Sequence, residues 1–393
     1  MPHTEKLFKR RSFLKWGAAG LAGLCARPAG ASGPGRQPVP QASAPKFIHR
    51  TLGKTGLTLP VVSMGVMNSD NPNLIRAALD KGIVLLDTAH GYQRGQNEVV
   101  IGEAIKGRPR GSYVIATKVP AEPTTDGYLK NVDLSLKRLG LEYVDILNCH
   151  DVSSRQEVEF EPVLKALQKL KRDGLARFVG VTTHSHEPEV IRAAAGTGFH
   201  DVVITAYNFR QAHREEVRGA IADAAKAGVG VIAMKTLAGR FWDKERKQPI
   251  NTTAALKWVL NDSNVATTIP GMTTFDQLEA DLAVMAGLGL TEQEEHDLRL
   301  KPESAGLYCQ QCGECLAGCR GRLPVPSLMR SYMYAYGYGN LGAAYDLLRR
   351  LDLPDAPCGE CGECTAGCVQ GFDVAARIKD VTRLRALPSG LFA

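Results

Sequence analysis

No stretch of this chain is apolar for long enough to cross a bilayer, which takes roughly 20 consecutive residues. The one candidate near the start, Trp16 to Leu24, is far shorter, mildly apolar and rich in Ala and Gly. A membrane span is therefore not expected. The body of the chain also lacks an excess of charge. The formal net charge of +7 comes from 48 basic and 41 acidic residues, but residues 1–31 hold six of the former and one of the latter, leaving 42 against 40. A nearly neutral body offers no electrostatic case for nucleic acid. A third absence is the GxGxxG fingerprint after the first apolar run, which counts against an open, doubly wound nucleotide-binding sheet.

What the first 31 residues do contain is ordered. Arg10-Arg11-Ser12-Phe13-Leu14-Lys15 matches a twin-arginine pattern, with Lys9 where Ser or Thr is usual. A short apolar zone follows, and then the small residues Ala29-Gly30-Ala31. This order of zones predicts a twin-arginine signal peptide over 1–31 and an exported, periplasmic location for a protein that folds before transport. Residues 32–46, rich in Pro, Gly, Ser and Ala, read as a linker.

From residue 47 onward, short apolar runs alternate with helical patterns eight times. The runs cover 61–66, 83–89, 113–119, 144–149, 177–183, 201–207, 229–235 and 265–271. Segments between them, such as "PVLKALQKLKRDG", space apolar residues three or four apart and end on Gly, the signature of an amphipathic helix with its C-cap. Continuous apolar strands separated by helices imply a parallel sheet covered on both faces. Eight such units predict an α/β fold, a (β/α)8 TIM barrel over 47–295. Ahead of it, "RTLGKTGLTLP" at 50–60 reads as a hairpin plugging the barrel bottom. The alternation stops near residue 296. The remainder, 296–393, reads as a second, mostly helical module around a helical segment at 326–351 that breaks near Gly337–Gly342.

In such a barrel, polar residues at the C-terminal ends of strands are the candidates for chemistry. Asp87 ends the second run, Tyr92 follows five residues later, Lys118 ends the third and His150 follows the fourth. A phenol gives up its proton reluctantly at neutral pH. An ammonium group held by a carboxylate beside it is expected to make it more acidic. Tyr92 would then protonate a carbonyl oxygen, with His150 orienting it.

The blocks "LLDTAHGYQRGQNE", "VIATKV", "LEYVDILNCH", "GLARFVGVTTHS" and "GVGVIAMKTLAGR" resemble, in order, those of the aldo/keto reductase family, over about residues 47–290. The resemblance implies a catalytic tetrad of Asp87, Tyr92, Lys118 and His150 and a nicotinamide cofactor, NADP or NAD, bound without a Rossmann domain. It implies that Thr182, Thr183, Tyr207, Met234, Lys235, Leu237, Pro270, Gly271, Thr273 and Gln277 line the cofactor. There are departures. Thr182-Thr183 stands where Ser-Asn is usual, Ile204 where the family has Gln, and Met234 at the stacking aromatic. The 269–281 block lacks the Lys and Arg that clamp a 2′-phosphate in many members. "HSH" at 184–186 shows no third ligand and reads as polar lining or surface.

The last feature is a repeated run of cysteines, "CQQCGECLAGC" from Cys309 and "CGECGECTAGC" from Cys358, starting 49 residues apart. CxxCxxCxxxC is the two-cluster ferredoxin spacing, in which the fourth Cys ligates the other cluster. This predicts two [4Fe–4S] clusters in a ferredoxin-like module, one on Cys309, Cys312, Cys315 and Cys368 and one on Cys358, Cys361, Cys364 and Cys319. Structural zinc and a disulfide framework are the alternatives. Arg320 and Val369 stand where Pro commonly follows the fourth Cys, and Cys149 reads as buried core. Aldo/keto reductases with a C-terminal cysteine module form a subgroup that the whole chain resembles. The resulting expectation is an exported oxidoreductase interconverting a small carbonyl compound and an alcohol by hydride transfer, with a redox partner protein possible. The competing expectation is a non-catalytic electron carrier on a degenerate barrel.

Overall fold

The computed structural model describes residues 47–243, 246–300, 308–359 and 361–392. The signal and linker readings over 1–46 lie outside the described residues.

Strands β1 (His49–Thr51) and β2 (Thr58–Pro60) pair antiparallel as a hairpin. Its turn passes Gly53 at φ +48°, and a Cβ there would lie 2.3 Å from the Gly230 nitrogen, so only glycine lets the hairpin approach so closely. Leu52 and Leu59 point from it into an inner apolar cluster with Ile146, Ile204 and Ile232. The hairpin plugs the end of the barrel where strands begin.

Eight parallel strands follow in sequential order: β3 (Met64–Gly65), β4 (Leu85–Asp87), β5 (Val114–Pro120), β6 (Val144–His150), β7 (Ala176–Thr183), β8 (Val202–Ala206), β9 (Gly230–Met234) and β10 (Val265–Thr268). The sheet comes round on itself through the parallel bridges Val62↔Thr268 and Gly65↔Gly271. Strand side chains alternate between faces. Leu85, Ala116, Ile146, Ile204 and Ile232 therefore fill the interior, while Leu86, Ile115, Leu147, Val203 and Val231 join the larger outer cluster beneath the helices.

The helices of this layer are α1 (Pro72–Asp80), α2 (Gln96–Ile105), α3 (Thr125–Leu139), the short α4 (Arg155–Val158), α5 (Glu161–Arg172), α6 (Glu187–Gly196), α7 (Arg214–Lys226), α8 (Thr252–Leu260) and α9 (Phe275–Val284). Helix α5 shows why they form. Val163, Ala166, Leu167 and Leu170 make one buried stripe, and the last turn carries Lys169, Lys171 and Arg172. Thr124 caps α3 by accepting from the Gly127 N–H, and Gly140 ends it in the left-handed region.

Beyond α10 (Glu292–Asp297), the C-terminal module is built from α11 (Val325–Tyr332), a π-turn at Met333–Gly337, α12 (Leu341–Arg350) and α13 (Val374–Thr382). Val325, Leu328, Met329, Leu348, Val374, Ile378 and Val381 give it a core of its own, to which Cys315 belongs. No helix among the described residues is long and apolar enough to cross a membrane.

Candidate active site

The loop carrying Tyr92 is held by its own sequence. Thr88 donates through Oγ1 to Asn97 Oδ1 (2.7 Å), and Asn97 donates through Nδ2 to the Val66 (2.7 Å) and Ser69 (3.1 Å) carbonyls. Gln93, Arg94 and Gly95 then run through the left-handed region at φ +49°, +55° and +91°. A Cβ at Gly95 would lie 2.2 Å from the guanidinium carbon of Arg138, which itself bonds the His90 carbonyl at 3.0 Å. The "HGYQRGQNE" stretch is thus a brace that aims the phenol across the strand ends.

Lys118, Asp87, His150 and Tyr92 meet there. Lys118 is fully buried and donates through Nζ to Asp87 Oδ2 (2.6 Å), the Thr88 carbonyl (2.6 Å) and the Tyr92 hydroxyl (3.5 Å). The His150 ring stands edge-on to Tyr92, centroids 5.9 Å apart, and His184 stands edge-on to His150 at 6.3 Å. All three strand residues have the inward parity of their strands, and each lies at or near a C-terminal end.

The electrostatics correct one expectation. Tyr92 is not made acidic. Burial pushes its phenol well above the ordinary value, and the Asp87 and Asp151 carboxylates push it the same way. The ammonium of Lys118, paired with Asp87, does not offset that burial in the resting site. Tyr92 therefore rests as a protonated donor. Burial, reinforced by Lys118, lowers His150 to about 3, and it lowers His184 well below the usual histidine range. Both rings are neutral at physiological pH.

The residues implied for the cofactor divide by parity. Thr182 and Met234 face inward at the mouth, and the backbone after β9 runs left-handed at Lys235 (φ +56°), Ala238, Gly239 and Arg240. Leu237 is buried and Thr236 keeps an unpartnered buried hydroxyl in this loop. Burial lowers Lys235 to about 7, helped by the charge of Arg330. Pro270 and Gly271 offer their carbonyls to the Gly65 N–H (3.0 Å) and to Arg240 Nη2 (2.7 Å). Thr273 and Gln277 bond each other at the start of α9. Tyr207 is not at the mouth. One residue past the inward Ala206, it packs on Trp258 in the outer layer, and its hydroxyl accepts from Arg218 at 3.1 Å. Thr183 is likewise turned away, its Oγ1 donating to the Ser185 carbonyl at 2.7 Å. Arg240 is a cation beside the 269–281 block that spacing within that block could not reveal.

The roof comes from the module. A cavity of ≈ 790 Å³ is lined on the barrel side by Tyr92, His150, Asp151 and His184 and on the module side by Arg330, Tyr334, Asp346 and Arg350. Arg330, 5% exposed, holds Asp151 through a bidentate ion pair. Burial alone would raise the Asp151 carboxyl, but Arg330 holds it below the ordinary value. Arg94 pairs with Asp346 at 3.2 Å, and Asn340 Nδ2 donates to Asn68 Oδ1 at 2.9 Å. The sequence signal for these contributions is the four-residue spacing of Arg330, Tyr334 and Tyr338. The π-turn at Met333–Gly337, a device common at functional sites, lies within that stripe.

The cysteines collect in two places. Cys309, Cys312, Cys315 and Cys368 line one small cavity, while Cys319, Cys358, Cys361 and Cys364 line another. All are free thiols, and Cys149 is buried in the outer core. Among the described residues, no three His, Cys, Asp or Glu side chains converge closely enough to hold a single metal ion. The two loops meet where Thr365 Oγ1 donates to the Gly318 carbonyl at 2.7 Å. The first loop rests on the barrel at Gly313 (φ +82°), where a Cβ would lie 2.5 Å from His186 Nε2. His186 Nδ1 is 3.0 Å from the Ser153 carbonyl. The "HSH" pair is thus one cavity-lining ring and one docking ring.

Asp87, Tyr92, Lys118 and His150 thus meet at consecutive strand ends of a parallel barrel. The aldo/keto reductase family model matches residues 63–254. The chain is 35% identical over 156 residues to L-galactose dehydrogenase of Arabidopsis thaliana, covering 35% of this chain and 49% of that protein. It is 30% identical over 161 residues to L-glyceraldehyde 3-phosphate reductase of Escherichia coli, covering 35% and 46%. These matches span about half the length of the curated relatives. An aldo-keto reductase from Bacillus halodurans, in its holo form, superposes with a TM-score of 0.55 at 23% identity, covering 66% of this chain and 99% of that one. That likeness concerns the fold.

Proposed function

We propose that this protein interconverts a small carbonyl compound and an alcohol, with Tyr92 as the proton donor and acceptor. The observation that carries the proposal is the convergence of Tyr92, Lys118, Asp87 and His150 under one cavity. Hydride would be supplied by NADP or NAD held along Thr182, Met234, Leu237 and the 235–240 backbone, with Arg240, Thr273 and Gln277 toward the adenosine end. The left-handed backbone and the orphaned Thr236 hydroxyl support that fit. Tyr92 holds its proton at the phenol oxygen and delivers it to the carbonyl oxygen. Lys118, fixed by Asp87, stabilises the phenolate left behind, and neutral His150 orients the carbonyl.

The same reading assigns the two cysteine-lined cavities to [4Fe–4S] clusters. Two sets of four thiols, each gathered from both CxxCxxCxxxC runs around one small cavity, support this assignment. An exported location through a twin-arginine signal, and a redox partner protein, belong to this proposal. Tyr92→Phe tests its centre. Carbonyl reduction should fall by about 10²–10⁴-fold, the usual worth of a positioned general acid, while dinucleotide binding measured by fluorescence is retained. Unchanged turnover would remove Tyr92 from the role and favour a non-catalytic barrel.

A further inference from the structure

We infer that Arg350 forms an anion subsite at the rim of the active-site cavity, so that the substrate is a carbonyl compound carrying a carboxylate or phosphate group. This rests on the reductase reading for the carbonyl end and on the following charges for the other end.

The cavity is lined by three arginines and two aspartates. Arg94 is spent on Asp346 at 3.2 Å, and Arg330 is spent on Asp151 in a bidentate pair. Beneath them Lys118 is spent on Asp87 at 2.6 Å. Arg350 is left over, for among the described residues it has no carboxylate or carbonyl partner. The bland account is a solvated arginine at the C-terminus of α12, where cations are favoured. Its placement argues otherwise. Arg350 Nη1 lies 3.5 Å from where a Cβ on Gly91 would stand, one residue before Tyr92. It therefore reaches across from the module to the loop that carries Tyr92, and its side chain is exposed at the rim. Its charge is felt by His150 and Tyr334, both of which line the same cavity. A neutral substrate would leave this cation without a counter-charge. A planar guanidinium with free donors suits a carboxylate or phosphate, which it can bind through two parallel hydrogen bonds.

The test compares matched substrates on the full-length protein. 4-Oxobutanoate is set against its methyl ester, and glyceraldehyde 3-phosphate against glyceraldehyde. Each anion should show a KM at least ~10-fold below its neutral partner, the least that a charge-assisted hydrogen bond commands, and the larger ratio identifies carboxylate or phosphate. Arg350→Met should erase that ratio through KM with kcat kept, Arg350→Lys should keep part of it, and added salt should weaken it in the wild type only. Equal KM values for charged and neutral partners, or an equal loss for both in Arg350→Met, would overturn the inference. A second readout stands apart from turnover: succinate and inorganic phosphate binding by calorimetry. If no carbonyl is reduced but one of these anions binds wild type and not Arg350→Met, the subsite stands and the reductase reading falls. Binding of neither, or equal binding to both proteins, sinks the subsite.

Discussion

At the scale of single residues, the buried Lys118–Asp87 pair sets the energetics of the site. Lys118→Met would leave the Asp87 carboxylate buried without its partner, a change that costs about 3–5 kcal/mol. Denaturant unfolding should show that loss, and the added substitution Asp87→Asn should recover much of it. Burial also gives His150 a pH signature. Its value falls from 6.5 to about 3 on folding, so below pH 6.5 the unfolded chain binds a proton that the folded chain refuses. The stability contribution is therefore full above pH 6.5 and is lost progressively as pH falls toward 3. Subtracting the pH–stability curve of His150→Asn from that of the wild type should isolate this slope. The activity profile should show no break near 6.5 from this ring. The candidate acid, lysine and histidine were legible in the sequence because strand ends carry chemistry in such barrels. Their protonation was not, because burial is a property of the packed site, and it outweighs the single nearby ammonium at Tyr92.

At the scale of elements, the eight apolar runs were legible because strands buried on both faces read as continuous hydrophobic segments. Five of the observed strands both begin and end within a residue of their runs, whereas the first run, 61–66, shortens to Met64–Gly65 and closes the barrel through isolated bridges. Tyr207 was misplaced by positional likeness alone. Strand parity from Val202, Ile204 and Ala206 would have turned it outward. The roof of the cavity was legible only as a shared helical face, from the spacing of Arg330, Tyr334 and Tyr338; what that face meets was not, since Arg330 and Asp151 are 179 residues apart. One docking contact can be tested directly. Gly313→Ala combines a left-handed backbone with a Cβ directed at His186, so it should destabilise the seating of the first cysteine loop by about 1–2 kcal/mol from the backbone alone. Limited proteolysis should then cut near residue 310 faster. His186→Ala should relieve the collision and leave the backbone penalty.

At the scale of the whole molecule, barrel and module share one cavity, so the module walls the space above Tyr92. If the clusters are present, iron and acid-labile sulfide analysis of anaerobically purified protein should give eight iron atoms per chain, four for each [4Fe–4S] cluster. Cys368→Ser should deplete the set that begins at Cys309, and Cys319→Ser the set that begins at Cys358, each removing about half of the iron. A variant that instead loses iron from its own neighbouring thiols would contradict the crossed assignment. That crossing has a consequence for biogenesis. Each chamber takes three sulfurs from one end of the module and its fourth from the other, so the set that begins at Cys358 is complete only once translation has passed residue 364, and the set that begins at Cys309 only once it has passed residue 368. Neither chamber can be filled from the first cysteine run alone, and any stop before residue 358 forfeits both together.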